Sequence, residues 1–178
     1  MNLKDFPIGE HFPEVVNAII EIPEGSRNKY EYDPELNIFK LDRVLYSAVH
    51  YPTAYGFIPG TYYDDGDPLD ILVLTSQPLS IGILVEARPL GVLRMRDDKG
   101  PDDKIISVAI RDEHYKDVLR VEHLPHHLLV EIEHFFSTYK HLEGKEVRSF
   151  GWEPTAFAHA AVRMGRDKYL ALKNSSKK

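Results

Sequence analysis

Four aspartates fall within the seven residues Asp64-Asp65-Gly66-Asp67-Pro68-Leu69-Asp70, with a glycine and a proline to fix a turn. Carboxylates this close repel one another, and the cost grows as water is excluded. A divalent cation removes that cost, so the cluster invites Mg²⁺ or Ca²⁺. By itself the stretch reads as easily as a solvated acidic turn, since Asp, Gly and Pro are ordinary turn residues. An EF-hand fits worse. Counted from Asp65, the sixth position is Asp70 where glycine is needed, and the twelfth is Ser76 where glutamate is needed. A second acidic stretch, Arg96 to Lys104, carries Asp97, Asp98, Asp102 and Asp103. Alone it reads as a hairpin loop, but two such loops on one rim can converge on a shared metal.

Basic and phenolic residues accompany the acids. Lys29 and Glu31 alternate along a strand-like run and so share a face. Arg43 follows the next such run, Lys104 closes the second acidic loop, Tyr51 and Tyr55 precede the first, and Tyr139-Lys140 ends an apolar helical pattern. Singly, each Lys or Arg reads as a surface residue and each Tyr as an amphipathic core residue. Interleaved, the set suits a metal-bound anion: carboxylates hold metal, while Lys, Arg and Tyr hold phosphate oxygens. His127, Glu131 and His134 have helical spacing that zinc accepts, yet a polar face or subunit contact is the better reading. Protonation of such a contact near about pH 6 would weaken an oligomer.

Strands and turns must carry these residues. Val15–Ile22, Lys29–Tyr32, Ile38–Leu41, Tyr55–Ile58, Ile71–Leu74, Ile83–Ala87, Gly91–Met95 and Lys104–Ile110 read as short strands, with a turn at Asp33–Asn37. Many short strands with frequent Gly and Pro suggest a closed barrel or sandwich. From Pro125, placed in a first turn, Leu128, Leu129, Ile132, Phe135, Phe136 and Tyr139 form one apolar helical stripe, and Gly144 is expected to end that helix. A second helix is expected over about Pro154–Leu172, with Ala156, Phe157, Ala160, Ala161 and Met164 on the barrel. No repeat or linker divides residues 1–178, which read as one domain.

Composition narrows the class. Apolar residues make up 43% and charged residues 28% of 178, ordinary for a soluble globular protein. There are no cysteines, which excludes disulfides and thiolate metal sites and suits a reducing cytoplasm. A formal charge of -6 opposes binding to nucleic acid or anionic membrane, while leaving an anionic substrate open if metal inverts the local field.

Taken together, the residues resemble the soluble family I inorganic pyrophosphatases. Asp65-Gly66-Asp67-Pro68-Leu69-Asp70 fits that family's D-[GSN]-D-P-x-D pattern, and the likeness runs in order from about residue 15 to 153. It includes Ile20-Glu21-Ile22-Pro23, Lys29-Tyr30-Glu31, Asp42-Arg43, Tyr51-Pro52, Tyr55-Gly56-Phe57-Ile58, Arg88-Pro89-Leu90-Gly91, His134-Phe135-Phe136 and Gly151-Trp152. The resemblance implies an α+β fold: a closed five-stranded OB-like barrel with additional strands and two C-terminal helices outside. It implies hydrolysis of pyrophosphate to two phosphates by metal-activated water, several Mg²⁺ ions per site, and a cytoplasmic homo-oligomer, with a hexamer favoured. By the same resemblance Asp67 is the general base, and Asp65, Asp70, Asp97, Asp102 and Glu31 bind metal. Lys29, Arg43, Tyr55, Lys104, Tyr139 and Lys140 would hold phosphate oxygens, and Glu21 and Tyr51 would support them. Ala54, Ala109 and Arg148-Ser149-Phe150 depart from the family pattern without touching a proposed ligand. A phosphatase for nucleoside triphosphates or polyphosphate, and a non-enzymatic OB module for nucleic acid, are the rival readings. The first lacks a glycine-rich phosphate loop; the second is opposed by the acidic balance.

Overall fold

Strand-forming runs with few polar interruptions dominate the first two thirds of the chain. The computed structural model describes residues 2–63 and 66–175, so Asp64 and Asp65 lie outside the described residues. Five strands close a ring. β1 (Val16–Ile22) pairs with β4 (Ala54–Phe57), β4 with β5 (Asp70–Leu74), β5 with β8 (Lys104–Ala109), β8 with β6 (Leu84–Asp97), and β6 returns to β1. The β5–β8 pair is parallel and the other four are antiparallel. Outside the ring, β2 (Asn28–Asp33) and β3 (Ile38–Val44) form a separate hairpin. β7 (Gly100–Pro101) folds back on the end of β6, and β9 (Arg148–Pro154) adds to the edge of β6. With helices α1 (His126–Thr138) and α2 (Thr155–Ser175), this is the expected OB-like α+β architecture.

Both faces of the ring strands are covered, which is why β8 is buried at every position and lacks an apolar–polar alternation. Alternation instead sorts side chains between two cores. Ile71, Val73 and Ile105 join the cluster beneath α2, with Ala158, Ala161 and Val162. Leu72, Leu74, Ile106 and Val108 join the cluster beneath α1, with Ile132, Phe135 and Phe136. Ser107, fully buried, is satisfied by donating its hydroxyl to Leu72 O.

Four expectations need correction. The runs Ile83–Ala87 and Gly91–Met95 are one strand of 14 residues; Pro89 breaks the apolar pattern where the register shifts between Pro89 and Gly91. Pro125 sits at the N-cap, one residue outside the helix, and Gly144 (φ 70°) closes the short 3-10 turn His141–Glu143, whereas α1 itself ends at Thr138. β9 has no counterpart among the expected strands, because Gly151 and Pro154 interrupt its pattern. Finally, α2 is rotated from the expected face: Ala156, Phe157, Ala160 and Met164 are exposed, and of the anticipated set only Ala161 is buried. The barrel side is Ala158, Ala161, Val162 and Gly165. A Cβ at Gly165 would meet Thr61 Cβ at 3.3 Å, so close approach, not side-chain bulk, selects this face.

Candidate active site

Strand register brings acids and bases together before any loop is considered. On the parallel pair, Asp70 lies opposite Lys104. Two residues before Lys104 is Asp102, and the Lys104 ammonium reaches both carboxylates: Asp70 Oδ2 at 2.5 Å, and Asp102 Oδ1 in a still closer contact. Lys104 is fully buried, with its ammonium 5.9 Å from the Tyr55 ring centre and 5.7 Å from that of Phe136. Burial opposes its charge, but the two carboxylates outweigh burial and hold it protonated well above an ordinary lysine. Burial also pushes the Asp102 carboxyl up, against the pull of Lys104.

The second acidic loop divides its acids. Asp97 ends β6, takes the Lys99 N–H at 2.8 Å and pairs with Lys140 Nζ at 2.9 Å. Burial disfavours its charge, yet Lys140 and Lys99 together hold it below the usual carboxylate range. Asp103 faces away and is buried, where it accepts from Tyr63 OH and Arg94 Nη1. It ties the loop to the barrel.

The hairpin supplies the opposite wall. Lys29 and Glu31 form an ion pair across one face of β2, and Lys29 Nζ also lies 3.3 Å from Asp42. Burial disfavours the charge of Lys29, but Glu31 and Asp42 outweigh it and raise its pKa. Glu21 of β1 accepts the Tyr32 N–H at 2.8 Å; burial pushes its pKa up to about 8. Gly66 (φ 95°) makes the left-handed bend that an L side chain resists, and it delivers Asp67 to the rim.

One cleft is lined by Glu21, Lys29, Glu31, Tyr55, Asp67, Asp70, Asp97, Asp102, Lys104, Tyr139 and Lys140. Two anticipated residues are set back from it. Arg43 is held by Asp42 and by Glu143, the latter at 2.8 Å from its Nε. Tyr51 is buried against Tyr55, Phe135 and Phe136. Asp65 falls outside the described residues. Lys4 and Lys99 line the cleft without having been anticipated. Lys99 sits inside the second acidic loop and was findable there. Lys4 is 63 residues from its partner Asp67, a separation that no local pattern signals.

Among the described residues no three acidic or histidine side chains are grouped as a preformed metal cage; the acids face ammonium groups instead. The donor set nevertheless fits a hard divalent ion. It consists of carboxylate oxygens, the ligands Mg²⁺ prefers, and Asp70 and Asp102 lie close enough to share one cation, as Lys104 demonstrates.

The family model described as inorganic pyrophosphatase matches residues 18–170. An inorganic pyrophosphatase of Thermus thermophilus is 50% identical over 165 residues, spanning 91% of this chain and 94% of that protein. One of Haloferax volcanii is 46% identical over 167 residues, spanning 93% and 94%. Among solved structures, the inorganic pyrophosphatase of Thermus thermophilus superposes with a TM-score of 0.92 at 48% identity, covering 95% of this chain and 99% of that one. That of Helicobacter pylori superposes with a TM-score of 0.87 at 38% identity, covering 93% and 98%.

Proposed function

The chain belongs to the inorganic pyrophosphatase family, and from that membership we propose that its cleft hydrolyses pyrophosphate to two phosphates with Asp67 as the base for the attacking water. Pyrophosphate is a dense polyanion that repels a hydroxide nucleophile, so catalysis is chiefly positioning and charge neutralisation. Lys29, Lys104 and Lys140 bring ammonium groups to one cleft, and Tyr55 and Tyr139 bring hydroxyls. Burial raises both phenols above their already alkaline ordinary value, so they stay protonated and can donate hydrogen bonds to phosphate oxygens. Arg43, cross-strand from Lys29, would hold a phosphate oxygen only by leaving Asp42 and Glu143, which offset its charge. Asp65, Asp70, Asp97, Asp102 and Glu31 would hold magnesium, which when bound neutralises phosphate charge and acidifies water. Asp67 accepts a water proton as the water oxygen bonds to phosphorus. The bridging P–O bond then breaks, and its electron pair leaves with the second phosphate, stabilised by the lysines.

The observation that carries this reading is the convergence of Asp70, from the first acidic motif, and Asp102, from the second, on a single cation. The reading extends to magnesium as the ion, a homohexamer as the assembly and the cytoplasm as the compartment. Among the described residues no helix is long and apolar enough to cross a membrane. The test is phosphate release with Mg²⁺ from pyrophosphate, from ATP and from no other phosphate source, alongside binding of a single-stranded oligonucleotide. Release from pyrophosphate alone, and a loss of about 10²-fold or more in Asp67→Asn at saturating Mg²⁺, are expected. Preference for ATP would favour the triphosphatase reading, oligonucleotide binding without phosphate release the binding-module reading, and normal turnover in Asp67→Asn would remove the assigned base.

A further inference from the structure

The N-terminal arm reaches the cleft and is anchored there more firmly than a surface ion pair requires. Leu3–Asp5 forms one 3-10 turn, with Asn2 Oδ1 accepting the Lys4 N–H. The Lys4 carbonyl accepts the Gly60 N–H at 2.8 Å, and the Leu3 N–H donates to Tyr32 OH at 3.0 Å. Leu3 and Phe6 pack on Ile19, Tyr32 and Phe57. Adjacent residues then point to opposite sides. Lys4 reaches inward, with Nζ 2.7 Å from Asp67 Oδ1. Asp5 reaches outward to α2, where it accepts from Tyr169 OH at 2.7 Å and pairs with Lys173 Nζ at 2.8 Å.

The Lys4–Asp67 pair is too exposed, at 27% and 57%, to contribute much to stability. Its position is informative for another reason. A carboxylate that receives a proton from a bound water must keep one oxygen aimed, and the last torsion of an aspartate is broad. An ammonium held on one oxygen narrows that torsion. We propose that Lys4 is a positioning residue that orients the Asp67 carboxylate, and that Asp5 latches the arm carrying it onto α2. The proposal rests on Asp67 acting as the base.

Steady-state kinetics with saturating Mg²⁺ on the full-length chain test it, using Lys4→Ala, Lys4→Arg, Asp5→Asn, Asp67→Asn and the Lys4→Ala/Asp67→Asn double variant. Lys4→Ala is expected to lower kcat about 10-fold, as misplacement of a reacting group does, with KM and melting temperature little changed. Lys4→Arg should restore most of the rate, and Asp5→Asn should fall between. The double variant should be no slower than Asp67→Asn alone. A raised KM at unchanged kcat would overturn the proposal by making Lys4 a substrate contact. So would losses that multiply in the double variant while Asp67→Asn is itself slow, and these leave the base reading standing. Normal turnover in Asp67→Asn would remove both together.

Discussion

Lys104 shows how one side chain prepares a site for a different cation. Two carboxylates drawn together by parallel register repel unless a positive charge lies between them, and a buried ammonium supplies it. Removing that ammonium leaves two partly buried acids facing each other. Lys104→Ala is expected to cost about 3–5 kcal/mol in the presence of chelator, the usual penalty for breaking a buried pair. Added Mg²⁺ should then restore more stability than it adds to the unaltered protein, because the ion takes over the role of the lysine. Urea unfolding with and without Mg²⁺ measures both quantities. An equal Mg²⁺ response in the two proteins would mean that the ion settles away from Asp70 and Asp102. Neighbouring acids follow no common rule here: Asp102 meets Lys104, while Asp103, one residue on, is spent on Tyr63 and Arg94.

At the level of elements, the site is where the β2–β3 hairpin meets the ring, and Glu21 is a joint between them. It sits on β1 and accepts the Tyr32 N–H of β2. Its carboxyl shifts from an ordinary 4.5 to about 8, chiefly through burial. The folded protein therefore holds a proton that the unfolded chain releases above about pH 4.5. This contribution is fully present below pH 4.5 and is lost as pH rises through about 8. Glu21→Gln keeps an oxygen for Tyr32 and removes the titration. Relative to the unaltered protein, it is expected to gain about 1–3 kcal/mol between pH 5 and pH 8.5 in chelator, after allowance for screening by the open cleft. Parallel pH profiles of unfolding free energy would refute this joint. The same elements show what a sequence can and cannot reveal. The acidic turn, the strand-borne Lys29 and Glu31, and the stripe of α1 were legible because each is local. The rotation of α2 was not, because the rule that apolar bulk faces inward fails where alanine and glycine permit close approach. Lys4 and the setback of Arg43 were not legible either, since each depends on a partner far along the chain, Asp67 or Glu143.

For the whole molecule, the β2–β3 hairpin poses a separate problem of exposure. Leu36 is 67%, Ile38 55%, Leu41 55%, Val44 47% and Tyr46 60% exposed, all on one short stretch. Register puts Ile38, opposite Asp33, on one face of the hairpin and Leu41 and Val44, opposite Tyr30 and Asn28, on the other, so both faces carry exposed apolar side chains, and such exposure on one short element marks an interaction surface. Fully burying a side chain such as Leu or Ile contributes about 1.5–3 kcal/mol, and a self-complementary contact counts it on both subunits. In a chain read as a homo-oligomer, the economical occupant is a second copy. A carboxylate placed there would have to be buried without a partner or stay in water, and the second is far cheaper. Leu36→Asp combined with Ile38→Asp is therefore expected to shift the mass found by light scattering toward that of a single chain. The far-ultraviolet spectrum should be unchanged, because both residues are exposed on the isolated chain and carry none of its core. If the mass does not change, the hairpin is not a subunit contact and its apolar side chains face solvent.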